Sequence, residues 1–237
     1  MRFKAVTVLA LALTPVLARA AKPLMDYASP VRDITLKSNI VKRDMDLLKT
    51  ISTEFAQSYR VAASELWYKE PNKLLLISKA GLMDVVYKIN GNAKTVKAGF
   101  LNKRWDVTHA PGQRQTALTV GLMTPAWVDL VNATYYGAAK VDGRPAVIYD
   151  ARFKESDPRT WYRLYIDSER KIVLKQEQRI RDGSLKVTLH YMDPVRRNGV
   201  WAPTQIEVVT PDGKQGALTK MDGIRINTGL SDDLFKL

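Results

Sequence analysis

From Val61 to Ile226, with one interruption, turn residues recur every eight to twelve positions. The runs between them are short and rich in β-branched and aromatic residues. This spacing is the strongest constraint on the fold. A parallel crossover needs a dozen or more residues, so runs joined this tightly pair antiparallel. Predicted strands are Val61–Lys69, Lys73–Ser78, Asp84–Ile89, Thr95–Leu101, Tyr135–Val141, Pro145–Phe153, Thr160–Asp167, Ile172–Arg181, Leu185–Met192, Trp201–Val209 and Ala217–Ile226. Asn90-Gly91-Asn92, Asp142-Gly143, Ser168-Glu169, Asp182-Gly183, Asn198-Gly199 and Asp212-Gly213 supply turns. The result is a meander that curls into a barrel or half-barrel.

Two stretches carry a helical period instead. Val41, Met45, Leu48, Phe55 and Tyr59 recur at helical spacing, with Leu47 and Ile51 widening the stripe. They predict one amphipathic helix from about Ile40 to Ser58. The interruption of the meander, Thr108 to Asn132, begins with the loop His109-Ala-Pro-Gly-Gln and then collects Leu118, Val120, Leu122, Met123, Trp127, Val128, Leu130 and Val131. Pro125 inside it predicts two short helices or a kinked one.

Late strands alternate. Tyr162, Leu164 and Ile166 share one face, opposite Trp161, Arg163, Tyr165 and Asp167. Leu185, Val187, Leu189 and Tyr191 likewise oppose Lys186, Thr188 and His190, so one face is expected apolar and the other wet. Lys73 to Ser78 differs, because Leu74, Leu75, Leu76 and Ile77 place apolar groups on both faces.

The first twenty residues read as a secretory signal peptide: basic MRFK, an apolar stretch from Ala5 to Leu17, and the cleavage site Ala18-Arg19-Ala20. The stretch is shorter than the roughly 20 residues needed to span a bilayer. Removing residues 1–20 takes away Arg2, Lys4 and Arg19 but no acidic residue, so the net charge falls from +13 to +10. Such a surface favours an anionic membrane surface, and no nucleic-acid-reading motif is present. With no cysteine, the exported chain carries no disulfide and no thiol chemistry.

Nothing in the chain assembles into a catalytic or metal centre. His109 and His190 are the only histidines, and no G-x-S-x-G, H-E-x-x-H, P-loop or G-x-G-x-x-G occurs. Asp150, Glu155 and Asp157 straddle a strand end and a loop, and Asp232-Asp233 reads as a solvated tail. The expectation is a non-enzyme without cofactor.

Two places resemble the outer-membrane lipoprotein-sorting (LolA-like) family, whose relatives include periplasmic stress sensors. ELWYKEPNKLLL is similar to that family's Leu/Phe-Trp pair and basic residue before a Pro-Asn hairpin. DGSLKVTLHY, GVWAPTQIEVV and GIRINTGLSDDLFKL follow in the order of the family's C-terminal strands and tail. The resemblance covers about Val61 to Leu237 and identifies the chain as a divergent member. It implies an α+β, mostly β fold: a curved antiparallel half-barrel of about ten strands, with helices covering the concave face.

The implied organisation is a signal peptide at 1–20 and a single lipid-binding domain at 21–237. The implied function is a periplasmic carrier of lipid or lipoprotein acyl chains, working between membranes with a membrane-bound donor or acceptor protein. A sensor or protein-interaction module on the same scaffold is the alternative. The expected ligand-binding residues are Leu66, Tyr68, Leu74, Leu76, Leu118, Leu122, Trp127, Leu130, Leu164 and Leu189. Leu118, Leu122, Trp127 and Leu130 are expected on a lid. Where the carriers have an Arg before Pro-Asn, this chain has Glu70, with Arg114 placed as its partner across the gate. A buried methylene is worth about 0.8 kcal/mol, so a sixteen-carbon chain could gain roughly 12 kcal/mol.

Overall fold

The computed structural model describes residues 22–155 and 160–237. The expected signal peptide and Asp157 lie outside the described residues. The described residues form fifteen strands: β1 (Asp33–Arg43), β2 (Ala63–Lys69), β3 (Lys73–Ala80), β4 (Met83–Asn90), β5 (Ala93–Ala98), β6 (Leu101–Asp106), β7 (Val131–Val141) and β8 (Arg144–Phe153). They continue as β9 (Thr160–Asp167), β10 (Ile172–Ile180), β11 (Leu185–Met192), β12 (Val195–Arg197), β13 (Val200–Ala202), β14 (Gln205–Val209) and β15 (Gln215–Ile226). Three short helices, α1 (Met45–Ile51), α2 (Thr53–Ser58) and α3 (Pro125–Asp129), join them, with single 3-10 turns at Leu24–Tyr27, Pro111–Gln113, Ala117–Val120 and Asp232–Phe235.

Thirteen strands form one antiparallel sheet in the order β6-β5-β4-β3-β2-β1-β15-β14-β11-β10-β9-β8-β7, and β12 and β13 pair separately. The sheet does not close, since β6 and β7 are its edges. More strands form than the expected ten because β6 (LNKRWD) carries no apolar alternation to reveal it. Pro203 also divides the Trp201–Val209 run into β13 and β14.

The helix expected over Ile40–Ser58 is corrected. Ile40 to Arg43 belong to β1, and Val41 is 51% exposed. Asp44 then caps α1, its carboxylate accepting from Asp46 N and Leu47 N at 3.0 Å. Ser52, in extended backbone, ends α1 and caps α2 through Phe55 N at 3.0 Å. These side chains satisfy the first amides of each helix, so two short helices replace one long one. A strand before Val61 is therefore present: β1 pairs with β2 (Leu36 opposite Leu66) and with β15 (Ile34 opposite Ile226).

α1 and α2 bury Leu48, Ile51 and Ala56 against Val187, Val208 and Ala217. The Ala117–Val120 turn and α3 bury Leu118, Trp127 and Val128 against Leu164, Ile166 and Tyr191. The face these elements cover is here called inner.

The outer face is not wet throughout. Trp161 is buried under the guanidiniums of Arg152, Arg163 and Arg179, 4.5–5.7 Å from its ring centroid. Arg163 binds Asp150 through two hydrogen bonds (2.7 and 2.9 Å), and Glu177 accepts from Lys175, Arg179 and Tyr165. Long charged side chains thus cover apolar surface while satisfying one another.

Leu75 has its own explanation. It shares the outer face with Lys69 and Lys73, which hold Asp232 at 2.6 and 2.8 Å. The Asp232–Phe235 turn, with Phe235 wholly buried, packs on β3 and β4 there. The tail is anchored upstream by Asp33, which accepts from Thr228 N and Gly229 N. Both faces of β3 are apolar because each is covered.

Candidate ligand cavity

Register stacks the inner face of β1 to β4 in three rungs. Ile34, Tyr68, Leu74 and Ile89 form the deepest and are buried. Leu36, Leu66, Leu76 and Tyr87 form the next. Ser38, Ser64 and Ser78 form the third, with Met221 of β15 beside Ser38. Ser64 and Ser78 hydroxyls lie 2.7 Å apart.

A cavity of about 390 Å³ opens over the second and third rungs, within the range of roughly 300–1,000 Å³ usual for ligand sites. Leu36, Leu66 and Leu76 floor it, and Phe55 of α2 and Tyr59, just past that helix, flank it. Leu118, Trp127, Phe153, Tyr162, Leu189 and Tyr191 face them from the other half of the sheet and its cover. Eight strand spacings separate β3 from β8, about 38 Å if the sheet were flat. That Leu76 and Phe153 line one cavity shows how strongly the sheet curls.

The cover is bolted down. Tyr191 donates to Leu118 O at 3.0 Å, Val173 N to Gly121 O at 3.0 Å, and Ser29 N to Met123 O at 2.6 Å. Glu70 accepts from Ala126 N at 3.2 Å, in the first turn of α3, and from the Tyr68 hydroxyl. Burial, with the Glu70 charge beside it, pushes the Tyr68 hydroxyl well above the usual phenol range. Burial first, and then Tyr59 and Tyr162, push the Tyr191 hydroxyl up in the same way. Both stay neutral donors.

Of the residues expected at the ligand, Leu66, Leu76, Leu118, Trp127 and Leu189 line this cavity. Tyr68, Leu74, Leu122 and Leu164 are buried in the packed core and are not among its lining residues. Leu130 lines a separate hollow of about 120 Å³. The expected pairing of Arg114 with Glu70 is not made. Arg114 donates to Asn92 Oδ1 at 2.7 Å and to Val107 O at 3.3 Å. Among the described residues lining the cavity, Arg114 is nonetheless the one charged side chain, and its Nε is buried with no hydrogen-bond partner among them. The serine rung was missed, although strict two-residue periodicity from Leu66 and Leu76 leads to Ser64 and Ser78.

No curated protein matches the sequence. The fold is similar to that of a DUF1329 family protein from Desulfovibrio piger, with a TM-score of 0.63 and 14% identity, covering 90% of this chain and 92% of that one. An outer membrane lipoprotein-sorting protein domain from Vibrio parahaemolyticus matches with a TM-score of 0.59 and 11% identity over 89% and 90% of the two chains. A LolA superfamily protein from Nitrosomonas europaea matches with a TM-score of 0.58 and 13% identity over 90% and 94%. The chain shares its fold with these three proteins, and it belongs to the family, described as "Uncharacterized protein", whose model matches residues 115–237.

Proposed function

We propose that the protein is a carrier of the cell envelope that shelters an acyl chain of a lipid or lipoprotein in the cavity between its curled sheet and its cover. The observation that carries this reading is the cavity itself. About 390 Å³ stays unfilled in a fold whose neighbouring rung is packed shut, and Leu36, Leu66 and Leu76 give that space an apolar floor. The similarity to a lipoprotein-sorting domain supports the same reading.

The ligand lies with its hydrocarbon on the leucine rung and its polar end towards Ser38, Ser64 and Ser78. Those hydroxyls suit an ester or hydroxyl-bearing headgroup. The chain performs no covalent step. It excludes water from the acyl chain and releases it to a membrane-bound acceptor. The mature protein, residues 21–237 after cleavage near Ala20, acts in the periplasm as one domain.

The test is a fluorescent fatty-acid titration of the wild type and Leu76→Asp. Saturable one-to-one binding that the variant loses by at least tenfold, with its circular dichroism unchanged, supports the reading. Equal binding by a folded variant contradicts it.

A further inference from the structure

Three successive two-residue turns join β3 to β6, and they differ in chemistry. Gly91-Asn92, between β4 and β5, is polar, as such turns usually are. Gly81-Leu82 and Gly99-Phe100, between β3 and β4 and between β5 and β6, are not. In both, glycine takes the positive φ (+63° and +54°) and a large apolar residue takes the second position. Leu82 is 108% exposed and Phe100 110%, each held clear of the molecule. Met83 and Leu101, the next residue in each chain, are exposed as well.

Strand direction places these two tips at one end of the sheet and Gly91-Asn92 at the other. The tips are neighbours, since a Cβ built on Gly99 would meet Met83 Sδ at 3.5 Å. The same end carries Lys42, Arg43, Arg60, Lys79, Lys97 and Lys103, all exposed. Exposed acidic residues beside them are engaged: Asp44 caps α1, Asp46 pairs with Lys49 at 2.8 Å, and Asp84 pairs with Lys79 at 3.3 Å. This end is also the cavity's polar end. Leu82 lies four residues beyond Ser78, at most about 13 Å along the chain.

We propose that Leu82 and Phe100 insert into the interfacial layer of an anionic lipid bilayer, with the lysines and arginines around them on the headgroups, so that the serine end of the cavity faces the membrane. An aqueous surface does not favour two adjacent, fully protruding apolar side chains, and an apolar layer beneath negative charge does. The purpose of the contact rests on the carrier reading. The contact itself stands on the tips.

The test uses the full mature chain and vesicles of phosphatidylcholine with about a quarter phosphatidylglycerol, the anionic fraction supplying the charge. Co-sedimentation is expected to weaken by at least tenfold for Leu82→Ser/Phe100→Ser. Because the chain has no cysteine, Phe100→Cys and Lys140→Cys can each carry one environment-sensitive dye. Lys140 is an exposed residue near the other end of the sheet. The dye at 100 is expected to brighten and shift to the blue with vesicles, and the dye at 140 to stay unchanged.

Equal binding by the double-serine variant, equal dye responses, or no vesicle binding by the wild type would overturn the proposal. So would a dimer that the double variant abolishes while vesicle binding is unaffected. Fatty-acid binding by the same variant is read in parallel. Lost vesicle binding with intact fatty-acid binding supports docking; undiminished vesicle binding by the variant refutes docking and leaves the carrier reading standing, and vesicle binding by a wild type that takes up no fatty acid refutes the carrier.

Discussion

The Glu70 carboxylate accepts a hydrogen bond from Ala126 N at 3.2 Å and so ties the β2–β3 hairpin to the first turn of α3. The hairpin offers the acceptor expected of Glu70, but the donor is a backbone amide of the cover and not Arg114, which bonds Asn92 instead. Tyr68 bonds the same carboxylate from within the core. Glu70→Ala should cost about 1–2 kcal/mol, combining a lost helix-end acceptor with a Tyr68 hydroxyl left only its weaker contact to Pro71 O at 3.3 Å. Urea unfolding measures the cost. Amide exchange at Ala126 to Asp129 should accelerate more than exchange in β9, and Glu70→Gln, which keeps an acceptor, should be milder.

Gly121 sits at φ +80°, and a Cβ there would come within 2.8 Å of Tyr191 Cδ1 and 2.9 Å of Pro203 Cγ. Gly121→Ala combines left-handed backbone strain with a clash in the core, together roughly 2–4 kcal/mol. The expected outcome is a lower melting temperature with the fold retained. Tyr191→Phe should cost about 1 kcal/mol, because the carbonyl of Leu118 loses the hydroxyl but keeps Gly121 N as a donor at 2.9 Å.

Asp232 is held down to a pKa of about 2 by its hydrogen bonds to Lys69 and Lys73. Its folded value lies below its ordinary 3.8, so the clasp contributes fully above about pH 4 and is lost as pH falls through about 2. Proteolysis of the tail should therefore speed up across that window. Asp232→Asn should give the faster rate already at neutral pH.

Trp127 and Leu76 should behave differently although both line the cavity. Trp127 is buried, with edge contacts to Phe153 and Tyr162 at 6.3 Å between centroids. Trp127→Asp should cost more than about 4 kcal/mol and unfold much of the population. Leu76 is half-buried at the cavity floor, so Leu76→Asp should cost about 2 kcal/mol or less, its charge reaching water in the open space. Thermal denaturation of both variants decides.

Much of this fold was legible, for a physical reason. Turn residues and two-residue periodicity are local properties, and they located most strands within a residue or two. The Ile40–Ser58 helix was misread because its apolar spacing suited a helix throughout. The caps Asp44 and Ser52 break that continuity, and β1 claims Ile40 to Arg43 by pairing with strands that arrive later in the chain. The cavity was half legible. Leu66 and Leu76 follow from alternation, but neither Tyr68 nor Leu74, on the same face, reaches the open space. Depth along a strand depends on which partner rung the cover closes over, and no local pattern records that.

The central claim is that the cavity holds an acyl chain, and native mass spectrometry of protein purified gently from its own envelope tests it most directly. The comparison is wild type against Ser64→Trp, whose indole fills the cavity without adding charge. The account predicts a lipid-sized mass on the wild type, close to one per chain, and its loss from a folded variant. A wild type without adduct, or the same adduct on both proteins, would contradict it.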